Sequence, residues 1–164
     1  MTGLRRASLA TLAIVMALPA MAAAQGNPGL VGAWKLDASK VESTVRAAGP
    51  GRAGGPPATN IVIAIAPTEV SVSSDTGTNR AMETAVYKIG TAEQKVPGPL
   101  SWTTLAKGVW EGDTFVVNIA RIIEGPNGDI RIEMKDVYAV AGGVLTLVRS
   151  QGPDSWTSIY LKGS

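Results

Sequence analysis

The chain has 164 residues, with 15 Lys and Arg against 13 Asp and Glu, and its net charge at pH 7 is +2. It contains no cysteine and no histidine, so the usual protein ligands of zinc, haem, copper and iron–sulfur clusters are missing. The same absence excludes disulfide-dense scaffolds and nucleophiles activated by histidine. The acidic residues also lack the spacing of an EF-hand loop. We therefore predict no metal, no cofactor and no catalytic residue.

Residues 1–24 have the pattern of a secretory signal peptide. Arg5 and Arg6 give it a positive start, and the apolar run LATLAIVMAL that follows is too short to span a bilayer. Small residues at 22–24 precede a cleavage site before Gln25, with cleavage after Ala22 as the alternative. The pattern predicts export through the inner membrane, to the periplasm or the extracellular medium. Without a cysteine, no lipoprotein anchor can form at the cleavage site.

Residues 25–164 are predicted to form a single domain. Removal of residues 1–24 takes away two arginines and no acid, which leaves thirteen residues of each sign. A neutral chain offers no electrostatic footprint for nucleic acid or for an anionic membrane surface. We therefore expect no nucleic-acid partner and no stable membrane anchor, and the sequence does not indicate an oligomeric state.

Short strand patterns separated by turn residues fill the rest of the chain. Lys40–Arg46 is compatible with a helical turn, the Gly- and Pro-rich segment 49–58 is predicted to be a flexible loop, and Thr91–Pro99 is predicted to be a second loop. Nine strands are predicted, in chain order Leu30–Leu36, Ile61–Ile65, Val70–Ser74, Ala81–Ile89, Trp102–Trp110, Thr114–Ile123, Ile130–Val140, Val144–Arg149 and Trp156–Lys162.

Consecutive strands joined by tight turns, with no long helix, predict an all-β antiparallel meander. Such a meander has two exposed edges unless it closes on itself, and closure removes them. The fold class we expect is a closed up-and-down antiparallel β-barrel of about eight to ten strands. The strand number depends on residues 38–60.

Alternation along the strands places a few polar residues on the apolar, inward face. Asp136 and Tyr138 continue the apolar face of the seventh predicted strand, Arg121 that of the sixth, and Arg149 that of the eighth. A buried carboxylate needs a partner, so Asp136 either pairs with one of the arginines or lies at a strand end in water. Alternatively these groups orient a ligand, or Asp136 and Tyr138 form an acid–base pair.

Two tryptophans share a face of the fifth predicted strand. Trp102 and Trp110 are eight residues apart, so both could line a cavity or one could cap an end of the barrel. Trp102 joins Arg121, Asp136, Tyr138 and Arg149 as a candidate ligand-binding residue.

The start of the first strand resembles the signature of the calycin barrels, which include the lipocalins, the fatty-acid-binding proteins and the avidins. Gly32-Ala33-Trp34 matches the Gly-x-Trp element, and Lys162 near the end of the last strand matches the basic residue that covers the ring. Arg149 is the second choice for that cover. The resemblance implies that Trp34 closes one end of the barrel and that Gly32 allows a close backbone approach.

More specifically, the chain resembles small exported bacterial lipocalin-like proteins to which no function is assigned. The shared pattern includes GAWKLDASKVES from Gly32, WEGDTF from Trp110 and YLK from Tyr160, with the serine of the first motif displaced. The resemblance covers most of residues 29–162.

Three functions remain open. The first is binding of a small hydrophobic ligand inside the barrel, because barrels of this size can hold one ligand. The second is a partner-binding protein such as a protease inhibitor, for which the segment Gln25–Pro28 would provide an inserted tail. The third is a barrel cyclase or isomerase, which would depend on Asp136 and Tyr138.

Overall fold

A computed structural model of the chain describes residues 26–44, 57–75, 81–90, 92–98 and 102–163. The predicted signal peptide and residues 49–56 of the predicted flexible loop lie outside these ranges. Ala58, the last residue of that predicted loop, is packed in the hydrophobic core and is 5% exposed. Among the described residues, no helix is long and apolar enough to cross a membrane.

The described residues form one N-terminal 3₁₀ turn, Pro28–Leu30, and ten β-strands. The strands are β1 (Gly32–Thr44), β2 (Asn60–Ala66), β3 (Glu69–Ser74), β4 (Glu83–Lys88), β5 (Gln94–Val96), β6 (Thr103–Glu111), β7 (Thr114–Ile123), β8 (Ile130–Ala141), β9 (Val144–Gln151) and β10 (Asp154–Lys162).

All ten strands belong to one antiparallel sheet, in the order β4-β3-β2-β1-β10-β9-β8-β7-β6-β5. Each strand therefore pairs with its sequence neighbour, except that β1 pairs with β10 and β4 does not pair with β5. The edge of the sheet at β4 meets β6, the neighbour of the other edge strand, through a parallel bridge between Ile89 and Gly108. Gln94 Nε2 also donates a hydrogen bond to the Val86 carbonyl oxygen, at 2.5 Å. The result is a nearly closed barrel, which confirms the antiparallel barrel that the series of strands and tight turns predicted.

The first strand is longer than predicted, because the chain stays extended through Thr44, where the sequence was compatible with a helical turn. The pairing of β1 with β10 shifts register between Leu36 and Val41. At this bulge, Asp37 Oδ1 accepts hydrogen bonds from the Ser39 backbone nitrogen at 3.2 Å and from Ser39 Oγ at 2.6 Å. A short acid that bonds the chain two residues ahead favours a local turn, so the polar segment forms a bulge within a strand and no helix.

β5 is the one strand that the prediction missed. Its three residues lie inside the predicted loop Thr91–Pro99, and Val96 pairs with Thr104 of β6. Val96 is buried in the core. So short a strand is stabilised by its neighbour and leaves little periodicity in the sequence.

One end of the barrel is stoppered by the N-terminal 3₁₀ turn and by Trp34, whose side chain is 1% exposed. Trp34 Nε1 donates a hydrogen bond to the Leu30 carbonyl oxygen at 2.9 Å. Lys162 lies over the indole, with Nζ 4.4 Å from the ring centroid, and donates to the Val31 carbonyl oxygen at 2.6 Å. The ring is thus buried with its one polar group satisfied, and Lys162 rather than Arg149 covers it.

Gly32 allows this arrangement for two reasons. Its φ is +131°, which side chains disfavour. A Cβ built on it would lie 3.0 Å from both Cε and Nζ of Lys162. The glycine therefore leaves the room through which Lys162 reaches the Trp34 ring.

We predict that Trp34→Ala lowers the free energy of unfolding by about 3–5 kcal/mol, because it leaves a cavity under the 3₁₀ turn. Chemical denaturation followed by circular dichroism measures the change. Leu161→Ala is the control, since that exposed side chain lies on the outside of the same end and should cost within about 0.5 kcal/mol. Equal stability of Trp34→Ala and the native protein would contradict the stopper.

Candidate ligand-binding site

The register of the strands places the predicted polar residues on the inner face. Asp136 lies opposite Arg149 on β9 and opposite Val117 on β7. The side chain of Val117 is fully buried. Tyr138 lies opposite Phe115, and Arg121 lies opposite Thr104. Cross-strand partners share a face of the sheet, so these side chains all point toward the interior.

Asp136 and Arg149 form a two-point ion pair in the middle of the barrel. Arg149 Nε donates to Asp136 Oδ1 at 2.7 Å, and Arg149 Nη2 donates to Oδ2 at 2.6 Å. The Asp136 side chain is 2% exposed, whereas that of Arg149 keeps 30% of its surface accessible. Attraction to Asp136 raises the pKa of Arg149 and outweighs the opposing effect of burial. Arg149 is therefore held in place by one acid while part of its side chain remains accessible to solvent.

Aromatic side chains fill the interior between this ion pair and the stoppered end. The Phe115 ring centroid lies 5.8 Å from that of Tyr87, 5.1 Å from that of Trp110 and 6.0 Å from that of Tyr138. Gly108 allows the approach, because a Cβ there would lie 2.9 Å from both Phe115 Cζ and Tyr87 Cβ.

The opposite end of the barrel carries a second group of predicted residues. The Arg121 guanidinium lies over the Trp102 ring, with Cζ 5.6 Å from its centroid. Arg121 Nε is buried and has no hydrogen-bond partner among the described residues, and the same is true of Thr104 Oγ1 on the paired strand. Burial, followed by the positive charge of Arg149, lowers the pKa of Arg121, and the attraction of Asp136 opposes this more weakly.

The structure thus divides the five candidate residues into two groups. Asp136, Tyr138 and Arg149 meet in the middle of the barrel, and Trp102 and Arg121 meet toward the end away from Trp34. Sequence reasoning left open which arginine pairs with Asp136. A two-residue hairpin turn at Gly142-Gly143 sets Asp136 opposite Arg149. The position of this turn in the sequence was therefore the signal that could have identified Arg149 as the partner.

Three further interior residues were not predicted. Trp156 lies opposite Arg149 across the β9–β10 hairpin, and the turn at 152–153 would have indicated it. Thr104 lies opposite Arg121. The Tyr87 ring contacts the Phe115 ring across the place where the end of β4 meets β6. Alternation within one strand does not reveal contacts between strands that are not sequence neighbours.

The hydrogen bonds of Asp136 bear on the alternative in which Asp136 and Tyr138 form an acid–base pair. Both carboxylate oxygens of Asp136 accept hydrogen bonds from Arg149, which is the pairing that the cost of a buried carboxylate demands. Both oxygens that an acid–base role would use are thus already engaged with Arg149. Within the described ranges, no cluster of acids could hold a metal ion.

Comparison by sequence finds no matching protein-family model and no matching curated protein. Solved structures do resemble the chain. The REP1-NXSQ fatty acid transporter matches with a TM-score of 0.59 at 17% identity, over 82% of this chain and 96% of that one. A secretory abundant heat soluble (SAHS) protein of Ramazzottius varieornatus matches with a TM-score of 0.56 at 13% identity, over 82% and 96%. The fluorescent protein UnaG matches with a TM-score of 0.53 at 16% identity, over 81% and 96%.

These similarities establish the fold. In the described part of the chain the protein is an all-β, nearly closed barrel of ten antiparallel strands, which confirms the predicted fold class, and the similar structures share this fold. At such low sequence identity the similarity extends to architecture alone, and function has to be argued from the interior side chains.

We predict that Arg149→Met destabilises the protein by on the order of 3–5 kcal/mol, because Asp136 would remain buried without its partner. The double variant Asp136→Leu/Arg149→Met should be more stable than Arg149→Met alone, since it removes both charges. Denaturation of the two single variants and the double variant completes the cycle. Arg131→Met, which removes an exposed arginine from the outer face of β8, is the control. Additive effects of the two substitutions would contradict the pairing.

All three tyrosines of the chain are buried: Tyr87, Tyr138 and Tyr160. Burial is the main cause that raises the pKa of each, to about 12 for Tyr160. Because the pKa of each tyrosine is higher in the folded state than in the unfolded state, the protonated hydroxyls favour folding. This contribution to the free energy of unfolding is complete below the unfolded pKa near 10 and is lost as pH rises through the folded-state pKa values. We expect stability to fall above about pH 10 and tyrosinate absorbance to appear together with unfolding. Tyrosinate formation at pH 10 in the folded protein would contradict this.

Proposed function

We propose that the protein binds a small hydrophobic ligand inside its barrel after export from the cytoplasm. The observation that carries the proposal is the accessible surface of Arg149. Its side chain points to the interior, is anchored to Asp136, and keeps 30% of its surface accessible. A core filled by its own side chains would cover that surface.

The distribution of side chains around Arg149 supports the same function. One end of the barrel is stoppered by Trp34, and aromatic rings line the interior above it. Binding sites for small apolar molecules are mostly hydrophobic and aromatic, with a few polar groups that set orientation. One of the similar structures is a fatty acid transporter, which agrees with a ligand of this kind.

Export to the periplasm or the extracellular medium is part of the proposal and rests on the pattern of residues 1–24. The positive start, the apolar run and the small residues before Gln25 support it. N-terminal sequencing of the protein from the periplasmic and medium fractions should find Gln25 first, or Ala23 for the alternative cleavage. Recovery of the full-length chain from the cytoplasm alone would contradict export.

The protease-inhibitor alternative needs a free N-terminal tail, and the structure gives it no support. Gly26 lies against Trp110, where a Cβ would be 2.7 Å from the ring, and Leu30 is buried beneath Trp34. The tail therefore lies on its own barrel, although Gln25 is outside the described residues.

The proposal predicts that an organic extract of the exported protein contains an apolar small molecule. Native mass spectrometry of the same sample should show a ligand-bound mass, and the extracted protein should take up dodecanoate or dodecanol again, as measured by calorimetry. As a control for lipid bound to the outer surface, the same protein is unfolded by heating, the aggregate is removed by centrifugation, and the extract is compared with that of the folded protein. A ligand-free mass together with no uptake of either probe would overturn the proposed function.

A further inference from the structure

The loop between β7 and β8 lies outside the sheet. The last pair of the ladder joins Ile123 to Ile130, and every residue from 124 to 129 is exposed. Within this loop the Gly128 backbone nitrogen donates a hydrogen bond to the Gly125 carbonyl oxygen at 3.1 Å. Because this turn is exposed to water and lies beyond the ladder, it can open locally without breaking the pairing of the barrel.

Asn127 directly precedes Gly128 in this turn. Asparagine followed by glycine is favoured in tight turns, because both residues adopt turn conformations at little cost. A bond from the Gly128 backbone nitrogen to the side-chain amide carbon of Asn127 would close a small ring, the succinimide. Glycine has no side chain to crowd this nitrogen. Apart from its chain neighbours, no described atom lies within 4 Å of the position that a Cβ would take on Gly128.

The other asparagines of the described ranges lack these conditions. Asn27 precedes a proline, whose nitrogen has no proton to lose. Asn60 and Asn118 each precede an isoleucine, whose β-branched side chain crowds the nitrogen, and both lie within ladders of the barrel. Asn60 Nδ2 also donates a hydrogen bond to Asp75 Oδ2 at 2.8 Å. In this part of the chain, Asn127 alone combines an exposed turn with a following glycine.

We propose that Asn127 is converted to aspartate and isoaspartate in the folded protein, by attack of the Gly128 backbone nitrogen on its side-chain amide. Hydroxide takes the proton from the nitrogen, the new nitrogen–carbon bond forms, and the side-chain amide group leaves as ammonia. Water then opens the succinimide. Opening at the side-chain carbonyl gives aspartate, and opening at the main-chain carbonyl gives isoaspartate. No atom is oxidised or reduced.

The hydrogen bond of the turn controls the rate of this reaction. In the closed turn the Gly128 N–H points at the Gly125 carbonyl oxygen, so the nitrogen is not directed at the side chain of Asn127. The nitrogen becomes free to attack when the turn opens. The folded protein therefore reacts more slowly than the unfolded chain, and within the folded protein Asn127 reacts faster than Asn60 or Asn118.

The reaction changes the charge at the tip of the β7–β8 hairpin. Either product adds a negative charge near Glu124 and Asp129, which are exposed in the same loop. Isoaspartate also lengthens the main chain, but it does so beyond the last pair of the β7–β8 ladder. The protein therefore becomes more acidic with time while the barrel stays intact. The site needs no ligand, so it is independent of the proposed function.

The test follows the purified native protein during incubation in mildly alkaline buffer. Peptide mapping by mass spectrometry should show acid forming at residue 127 with time, and faster at higher pH because hydroxide starts the reaction. Isoelectric focusing should show a more acidic band. An isoaspartate-specific carboxyl methyltransferase with labelled S-adenosylmethionine should label that band. Asn60 and Asn118 are internal references and should stay unchanged over the same period.

Three variants test the chemistry. Gly128→Ala should lower the rate at Asn127 by on the order of tenfold, because the added methyl group crowds the attacking nitrogen. Gly112→Ala is the matched control, since it adds a methyl group to another glycine of positive φ with open space around it, and it should leave the rate unchanged. Asn127→Asp carries the charge of the product, so it should focus with the acidic band and keep the circular dichroism spectrum of the native protein.

The proposal fails if no acid forms at residue 127 of the folded protein over a time in which the urea-unfolded chain reacts there. Faster modification of Asn60 or Asn118 would contradict the comparison between the asparagines. An equal rate in Gly128→Ala would contradict attack by the glycine nitrogen. The native time course needs no variant, so it decides the question even if Gly128→Ala does not fold.

Discussion

The pairing of the first strand with the last is the contact on which the rest of the structure depends. All other neighbours in the sheet are consecutive in sequence, so the β1–β10 pair is what joins the meanders β1–β4 and β5–β10 into one sheet. The same pair sets Trp34 opposite Lys162. The continuity of the sheet and the closure of one end of the barrel therefore arise from the same few residues. The glycine two positions before the tryptophan is needed because the lysine must pass beside it.

The interior changes in character from one end to the other. Aromatic rings lie near the stoppered end, the Asp136–Arg149 ion pair lies in the middle, and the Arg121 guanidinium lies over Trp102 toward the far end. Asp136 holds Arg149 in place through two hydrogen bonds and also attracts Arg121 at longer range.

The strands and the side chains that face the interior could largely be predicted from the sequence, because the apolar residues of a half-buried strand alternate with a fixed period of two. The inward positions of Arg121, Asp136 and Arg149 followed from that period. The partner of Asp136 did not follow, since alternation defines faces and leaves the register to the turns. The bulge at Asp37 was missed because a polar run that is bent by its own side chain has the composition of a helix start. β5 was missed because three residues carry no measurable period.

The chain order of the barrel also has a kinetic consequence. The hairpins β6–β7, β8–β9 and β9–β10 join residues a short distance apart, and their turns close with little loss of chain entropy. β1 and β10 come from opposite ends of the domain, so their meeting closes the largest loop in the molecule. Late closure of this kind makes a high-contact-order protein fold slowly. Trp34 lies opposite Lys162 in this pairing, so the burial of the indole depends on the contact that spans the greatest length of chain.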